Sequence, residues 1–353
     1  MTVSQKLLYL LPMQPFMGKK PVKAMHFSLR KRTKVSFLEL IQAAEKGLKI
    51  NFNLSEKFTK LDNKKIFSSL LYFYYYSLLE AMQEQNKDQV FKLCRLLMKI
   101  DINNFYTTPL LIGCNSLNPI IKFQKNYIKA TAQRIETFKP LSPIEYDLAR
   151  KYIDKVLIII KKVNRNLYDE MHEILLLLHL SKGTFFATAA TSLRYFGMII
   201  MRYKVFESAE QQFLYFFDSL VHETSHVFLN LLMTLDPIIL NSTDLYHSPA
   251  RNVLRPLKGI FHAHFVFFRL IIMYKLAASY LIGAENHVKS RNFNIAIRDL
   301  PYNYQERLAA YQVKFKQGEE ILLKHAKLTD FGVEFLRSLN LESQDALPQI
   351  IST

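Results

Sequence analysis

The chain has 353 residues, half of them hydrophobic, with only 9 glycines and 12 prolines. That composition favours a mainly helical globular protein with a substantial core over a turn-rich β protein. The formal net charge of +17 favours an acidic partner, such as an acidic peptide, a nucleic acid, an anionic membrane surface or a carboxylate cofactor. Because the lysines and arginines are spread along the chain, a solvated basic surface explains the charge equally well, and we expect no nucleic-acid partner.

The first 140 residues carry helical patterns but no diagnostic motif. Residues 1–34 are basic, and Pro12, Pro15 and Pro21 argue against a long helix there, so the sequence predicts a solvated arm. Helical periodicity predicts a short helix over 37–48 and one long helix or a helical pair over 64–99. Residues 100–126 are predicted to be a loop region. We therefore expect an N-terminal helical region over 1–140, a candidate peptide-recognition part, and a catalytic helical domain over 141–353.

The second half of the chain has the pattern of a succession of helices. A polar connection bounded by prolines, residues 236–256, separates two long apolar segments. The tail from Leu328 to Gly332 onward predicts a capped short helix. The fold class predicted is all-α, with few or no strands and a metal site between two long helices. The predicted helices cover 142–163, 167–181, 185–204, 207–235, 257–283 and 302–326.

The cysteines and the apolar runs indicate in which cellular compartment the protein is expected. Cys94 and Cys114 have no metal-ligand spacing and lie among apolar residues, so both are predicted to be reduced cysteines of a cytoplasmic protein. Charged residues interrupt the most apolar runs, as Arg269 and Lys275 do in the last of them. The apolar start of the chain lacks a clear cleavage site. We expect neither a signal peptide nor stable membrane insertion.

A His-Glu-x-x-His motif lies in the middle of the 207–235 segment. His222 and His226 are four residues apart, so on a helix both imidazoles point the same way, at the spacing that one metal ion requires. In a zinc metallopeptidase, Glu223 would be the general base, and a third ligand would follow downstream. Leu232 stands where the extended form of that motif has a third histidine. The peptidase alternative therefore requires an unusual third ligand.

The helix after the connection supplies a candidate third ligand. His262 lies in its second turn, and His264 is two residues further on, about 200° around the helix axis. Only one of the two can therefore face the first helix. His262 is a stronger candidate ligand than a lone histidine would be, because a single connection can bring the two helices together.

At these residues the sequence resembles a known family, the HExxH-motif peptide-modification proteins of ribosomal-peptide biosynthesis. The resemblance comprises the HExxH motif at 222–226, a Ser-Pro-x-Arg loop at 248–251 and Arg-Pro-Leu-x-Gly followed by two hydrophobic residues and a histidine at 255–262. It covers about residues 215–275, with a weaker echo in the tail after Leu328. Ala250 stands where the family usually has an aromatic residue, a departure that concerns substrate fit more than chemistry.

The resemblance implies an Fe(II)- and 2-oxoglutarate-dependent hydroxylase acting on a side-chain Cβ, with aspartate the expected residue, of a ribosomally made precursor peptide. His222, His226 and His262 would hold the metal, which needs open positions for 2-oxoglutarate and dioxygen. Arg255 and Arg251 are the obvious partners for the distal carboxylate of 2-oxoglutarate, because a guanidinium binds a carboxylate through two donors.

Two residues have alternative interpretations. Arg269 is a third candidate for the cosubstrate carboxylate; otherwise it meets a buried carboxylate such as Glu223, because an unpaired cation in an apolar helix is costly. Glu223 is the base of a peptidase, but in a hydroxylase it could orient a histidine or be a ligand itself.

Three hypotheses follow. The first is the Fe(II)- and 2-oxoglutarate-dependent dioxygenase, the second a zinc metallopeptidase, and the third a non-catalytic helical binding protein with structural histidines.

Overall fold

The computed structural model describes residues 14–50, 52–114, 118–122, 138–183, 188–287 and 303–345. Helices dominate these residues, as the sequence predicts, and only a few short strands accompany them. The α-helices are α1 (Lys19–Leu48), α2 (Leu54–Thr59), α3 (Ser69–Gln83), α4 (Lys87–Lys99), α5 (Pro143–Val163), α6 (Arg165–Ile174), α7 (Ala209–Met233), α8 (Leu257–His287), α9 (Asn303–His325) and α10 (Asp330–Asp345).

The main departure from the predicted all-α fold is a four-stranded sheet. Its order is β1-β2-β4-β3, with parallel β1/β2 and β2/β4 pairs and an antiparallel β3/β4 pair. The helix predicted over 185–204 is therefore wrong, and the one predicted over 167–181 ends at Ile174. Strands buried on both faces are continuous apolar runs, which periodicity cannot distinguish from a buried helix. The strands are β1 (Leu111–Gly113), β2 (Leu177–Ser181), β3 (Ala189–Thr191) and β4 (Met198–Arg202).

Helix α1 corrects the expectation of a solvated N-terminal arm. It begins at Lys19 and runs for 30 residues, through most of the basic stretch. Pro21 lies in the first turn, where a backbone N–H has no partner within the helix, so the proline does not interrupt it. Pro12 lies outside the described residues. The buried face of α1 includes Val22, Met25 and Leu29.

The chain divides into two compact units. The first comprises residues 1–21, 147–171 and 204–353, and the second comprises 22–146 and 172–203. The second unit contains the sheet and the aromatic tract of α3, where Leu71, Tyr72 and Tyr74 are buried. The functional division expected at residue 140 stays a prediction.

The first unit is built on α7 and α8, which pack against each other, while α9 packs on α8. Helix α7 lies within its predicted segment, whereas α8 begins at the predicted residue and ends four residues beyond the predicted bound of 283. Helix α10 forms where a capped helix was expected, with the Gly332 N–H donating to the Thr329 hydroxyl. The connection between α7 and α8 contains a hairpin that was not predicted. Its strands are β5 (Leu245–Ser248) and β6 (Val253–Pro256).

Helix α8 is apolar enough to raise the question of membrane insertion. Its segment Leu257–Tyr280 would satisfy the length and composition of a membrane span, but 78% of its most apolar window is buried inside the fold. Burial of that kind is typical of the core helix of a globular protein. It agrees with the expectation of no stable membrane insertion.

Candidate metal centre

Helix α7 carries the HExxH motif in its interior. The helix begins after Ser208, whose hydroxyl accepts a hydrogen bond from the Gln211 N–H. Apolar residues then cover several of its faces, and most of its 25 residues are buried. His222 and His226 lie on one face, with ring centroids 5.0 Å apart. The helix thus presents both imidazoles to the same side, as the four-residue spacing predicts.

The third histidine comes from α8. The Nδ1 atoms of His226 and His262 are 3.2 Å apart, and the two rings are nearly parallel, with an interplanar angle of 26°. His264 faces another helix: its Nδ1 hydrogen-bonds to the Phe315 carbonyl of α9, and its ring stacks on that phenyl ring. Of the two histidines, His262 is thus the one that faces α7, while its role as a ligand stays a prediction.

Burial keeps these imidazoles neutral. Desolvation lowers the pKa of His222, and it lowers the pKa of His226 further, with contributions from the two neighbouring histidines and from Arg255 and Arg251. The pKa of His262 falls to about 3, because of burial first and then of Lys258 and Arg255. A neutral imidazole has a free lone pair, which is the form that binds a metal ion.

The geometry suits a shared ion for two of the three rings. Two nitrogens bound about 2.1 Å from one ion at angles between a right angle and the tetrahedral angle lie about 3.0–3.4 Å apart. The 3.2 Å between His226 and His262 falls in this range, although a hydrogen bond between neutral rings also accounts for it. As placed, the described His, Cys, Asp and Glu side chains include no group of three in metal-ligating geometry. The three imidazoles are thus chemically suited to a metal ion, and the distance within one pair, His226 and His262, fits a shared ion.

The β5–β6 hairpin brings two arginines to this cluster. Arg255 pairs with Tyr246 across the hairpin, directly before α8 begins, and Arg251 lies in the turn. Both guanidinium groups contribute to the low pKa of His226, and each lowers the pKa of one further histidine. Among the described residues, neither arginine forms an ion pair with a carboxylate. The cluster therefore carries uncompensated positive charge beside its imidazoles.

Glu223 is buried beside the cluster. Only 5% of its surface is exposed, and desolvation raises its pKa to about 8. The hydroxyls of the next two residues, Thr224 and Ser225, donate to carbonyls of their own helix, at Leu220 and Val221. Thr224 and Ser225 are therefore buried with their hydroxyls satisfied inside α7, whereas the role of Glu223 stays a prediction.

Arg269 corrects a sequence-based expectation. Its Nη2 lies 2.8 Å from Glu170 Oε2, and its Nε donates to the Pro15 carbonyl at 2.9 Å. Its guanidinium also lies over the rings of Phe16, Phe228 and Phe265. The buried partner of Arg269 is thus Glu170 and not Glu223. A group engaged in this way is held by the fold and is not free for a cosubstrate.

Asp218 is a polar neighbour that the sequence motifs did not indicate. It lies one turn before His222 on α7, and its negative charge opposes the lowering of the His222 pKa by burial. Its carboxylate accepts hydrogen bonds from Tyr311 at 2.8 Å and Arg307 at 2.8 Å, both on α9, and from Tyr274 of α8 at 3.3 Å. The four-residue spacing from His222 was its only sequence signal, because its partners lie 56 to 93 residues away.

Comparison with models of known protein families and with curated proteins finds no match to this chain. The resemblance to peptide-modification proteins therefore rests on the residues of the HExxH motif, the Ser-Pro-x-Arg loop and the segment that ends at His262.

Proposed function

We propose that this protein is an Fe(II)- and 2-oxoglutarate-dependent hydroxylase that oxidises a side-chain Cβ, with aspartate the expected residue, of a ribosomally made peptide. One observation carries the proposal. Three neutral imidazoles from α7 and α8 lie together beside two guanidinium groups that have no carboxylate partner among the described residues. The distal carboxylate of a dicarboxylate cosubstrate would pair with such a guanidinium, whereas water activation by zinc assigns it no role.

His222, His226 and His262 would hold the metal. Imidazole is an acceptable ligand of Fe(II), and three neutral ligands leave the metal charge to be balanced by an anionic cosubstrate. When bound, Fe(II) with 2-oxoglutarate and dioxygen supplies the oxidising power to hydroxylate an unactivated C–H bond, while 2-oxoglutarate becomes succinate and carbon dioxide. Asp218 adds a negative charge on the His222 side, which favours a bound cation there.

Arg255 and Arg251 would bind the distal carboxylate of 2-oxoglutarate. A guanidinium presents two parallel N–H donors to a carboxylate, which fixes both the position and the orientation of the anion. Arg251 is exposed and Arg255 is partly exposed, so a cosubstrate can reach both guanidinium groups from solvent.

The direct test is incubation of the protein with Fe(II), 2-oxoglutarate and the peptide encoded beside its gene, without oxygen until the reaction starts. We expect succinate and a peptide that has gained one oxygen atom. Protein with demonstrably bound iron that forms neither product would contradict the proposal.

Glu223→Gln separates the hydroxylase from a zinc metallopeptidase. In a peptidase this change abolishes peptide cleavage while zinc stays bound, because Glu223 is then the base that activates water. In the hydroxylase we expect metal binding and the 2-oxoglutarate dependence to persist. Zinc in the purified protein together with Glu223-dependent cleavage would replace our proposal with the peptidase.

A further inference from the structure

We infer that Gly259 is a positioning residue, whose missing side chain lets the Arg255 guanidinium lie flat on the first turns of α8 and face the cosubstrate. A Cβ built on Gly259 would lie 3.3 Å from Arg255 Nη2 and 3.4 Å from both Cζ and Nε. Three atoms of one guanidinium plane are thus equally close to that point, so the plane rests face-on against the glycine. The inference rests on the proposed function, because it assigns the oriented group to 2-oxoglutarate.

The local chain path accounts for this contact. Arg255 is in β6, and α8 begins two residues later, so its side chain folds back over the first turns of the helix that it precedes. Gly259 is three residues before His262, which is the spacing of neighbours on one helix face. The glycine therefore sets the guanidinium on the same side of α8 as His262, within the electrostatic reach that lowers the pKa of that histidine.

Helical conformation does not require a glycine at this position. The backbone of α8 continues through residue 259, and alanine is the better helix former. Gly47 in α1 provides a contrast, because a Cβ built there meets nothing within 4 Å. A methyl group is thus free to enter at Gly47, whereas at Gly259 it would push the guanidinium outward.

A displaced guanidinium binds a carboxylate less well. A Cβ contact of 3.3–3.4 Å is tight, so the guanidinium must give way by a few tenths of an ångström. Bidentate pairing depends on the direction of both N–H bonds. Tilting the guanidinium plane therefore weakens carboxylate binding more than the same displacement would weaken binding by a point charge. We expect Gly259→Ala to weaken 2-oxoglutarate binding by about 3- to 10-fold, within the coupling range of residues in contact.

The experiment compares wild-type protein, Gly259→Ala and the matched control Gly47→Ala, each loaded with Fe(II) without oxygen. Calorimetric titration measures the Kd of 2-oxoglutarate, thermal unfolding measures Tm, and steady-state kinetics separates KM from kcat. We expect Gly259→Ala to raise Kd and KM for 2-oxoglutarate at equal or higher Tm, and Gly47→Ala to change neither constant.

A double variant tests whether the effect passes through Arg255. Lysine has no planar group to rest on the glycine, so Gly259→Ala should add nothing to the Kd in the Arg255→Lys background. Equal Kd values for wild type and Gly259→Ala, or an undiminished effect of Gly259→Ala in the Arg255→Lys background, would overturn the inference and leave the hydroxylase intact. Iron-loaded wild type that binds no 2-oxoglutarate would overturn the proposed function, and this inference with it.

Discussion

Two polar groups seven residues apart on α8 have opposite surroundings. Arg269 is fully buried, and a carboxylate, a backbone carbonyl and three aromatic rings surround it. His262 faces another neutral imidazole, and the nearby Arg255 and Arg251 have no carboxylate partner among the described residues. A charge that the protein neutralises itself belongs to the architecture, whereas a charge left without a counter-ion beside neutral imidazoles favours an anionic ligand.

Breaking the buried ion pair should have the largest effect on stability. Glu170→Ala leaves Arg269 buried without its partner and removes the acceptor of the Met17 N–H, which donates at 2.6 Å. We expect a loss of about 3–5 kcal/mol in the free energy of unfolding, measured by urea denaturation. Removal of the exposed Arg337–Glu334 pair by Glu334→Ala is the control, with an expected loss of about 0–1 kcal/mol.

If Glu170→Ala fails to fold, a double change still tests the argument. Glu170→Leu combined with Arg269→Met replaces both charges by apolar groups, which is often neutral for a buried pair. We expect the double variant to fold. A double variant that also fails to fold would show that the unpaired charge is not the source of the loss.

Removing a histidine of the cluster should act on the metal and not on the fold. His262→Ala should lower the affinity for Fe(II) by more than the roughly 10–100-fold that changes outside the ligand shell cause. Metal content after anaerobic loading and gel filtration gives the measurement. His247→Ala, an exposed histidine of the hairpin, is the control. Unchanged iron binding by His262→Ala would show that His262 is not a metal ligand and would favour the hypothesis of structural histidines.

Replacement of Arg255 should weaken the binding of the cosubstrate and have little effect on the stability of the fold. Arg255→Ala removes a charge-assisted pair worth about 1.5–3 kcal/mol, which corresponds to a rise of about 10- to 150-fold in the KM for 2-oxoglutarate. Unfolding free energy should change little, because Arg255 forms no described ion pair and is partly exposed. Large destabilisation with an unchanged KM would show that Arg255, like Arg269, stabilises the fold and does not bind the cosubstrate.

A buried histidine of the second unit should produce the smallest effect. Burial lowers the pKa of His179 in β2 from 6.5 to about 4, so the unfolded chain takes up a proton more readily than the folded one. Stability is therefore fully present above pH 6.5 and falls as the pH drops towards 4. Between pH 7 and pH 5.5 we expect a loss of about 1 kcal/mol.

His179→Gln provides the test of that loss, because glutamine does not titrate. Its unfolding free energy should fall less between pH 7 and pH 5.5 than that of wild type, by the same amount of about 1 kcal/mol. His247→Gln should keep the wild-type slope. An unchanged slope in His179→Gln would assign the pH dependence to other groups.

Local patterns predicted the helices that carry the site. The period of apolar residues placed α7, α8 and α9 close to their observed bounds, and the four-residue spacing put His222 and His226 on one face. The 200° between His262 and His264 meant that only one of them could face the first helix. Each of these properties depends on residues within a few turns of one helix, which is why the sequence by itself determined them.

Only the tertiary structure decided which distant residues meet. The strands β2 and β4 were predicted as helix, because an apolar run buried on both faces has no period that identifies it. Arg269 is paired with Glu170, which is 99 positions away, and Asp218 with Tyr311, which is 93 positions away. The close approach of the Arg255 guanidinium to Gly259 likewise exists only in the folded chain. Contacts of this kind depend on how helices pack across long stretches of chain, which no local pattern encodes.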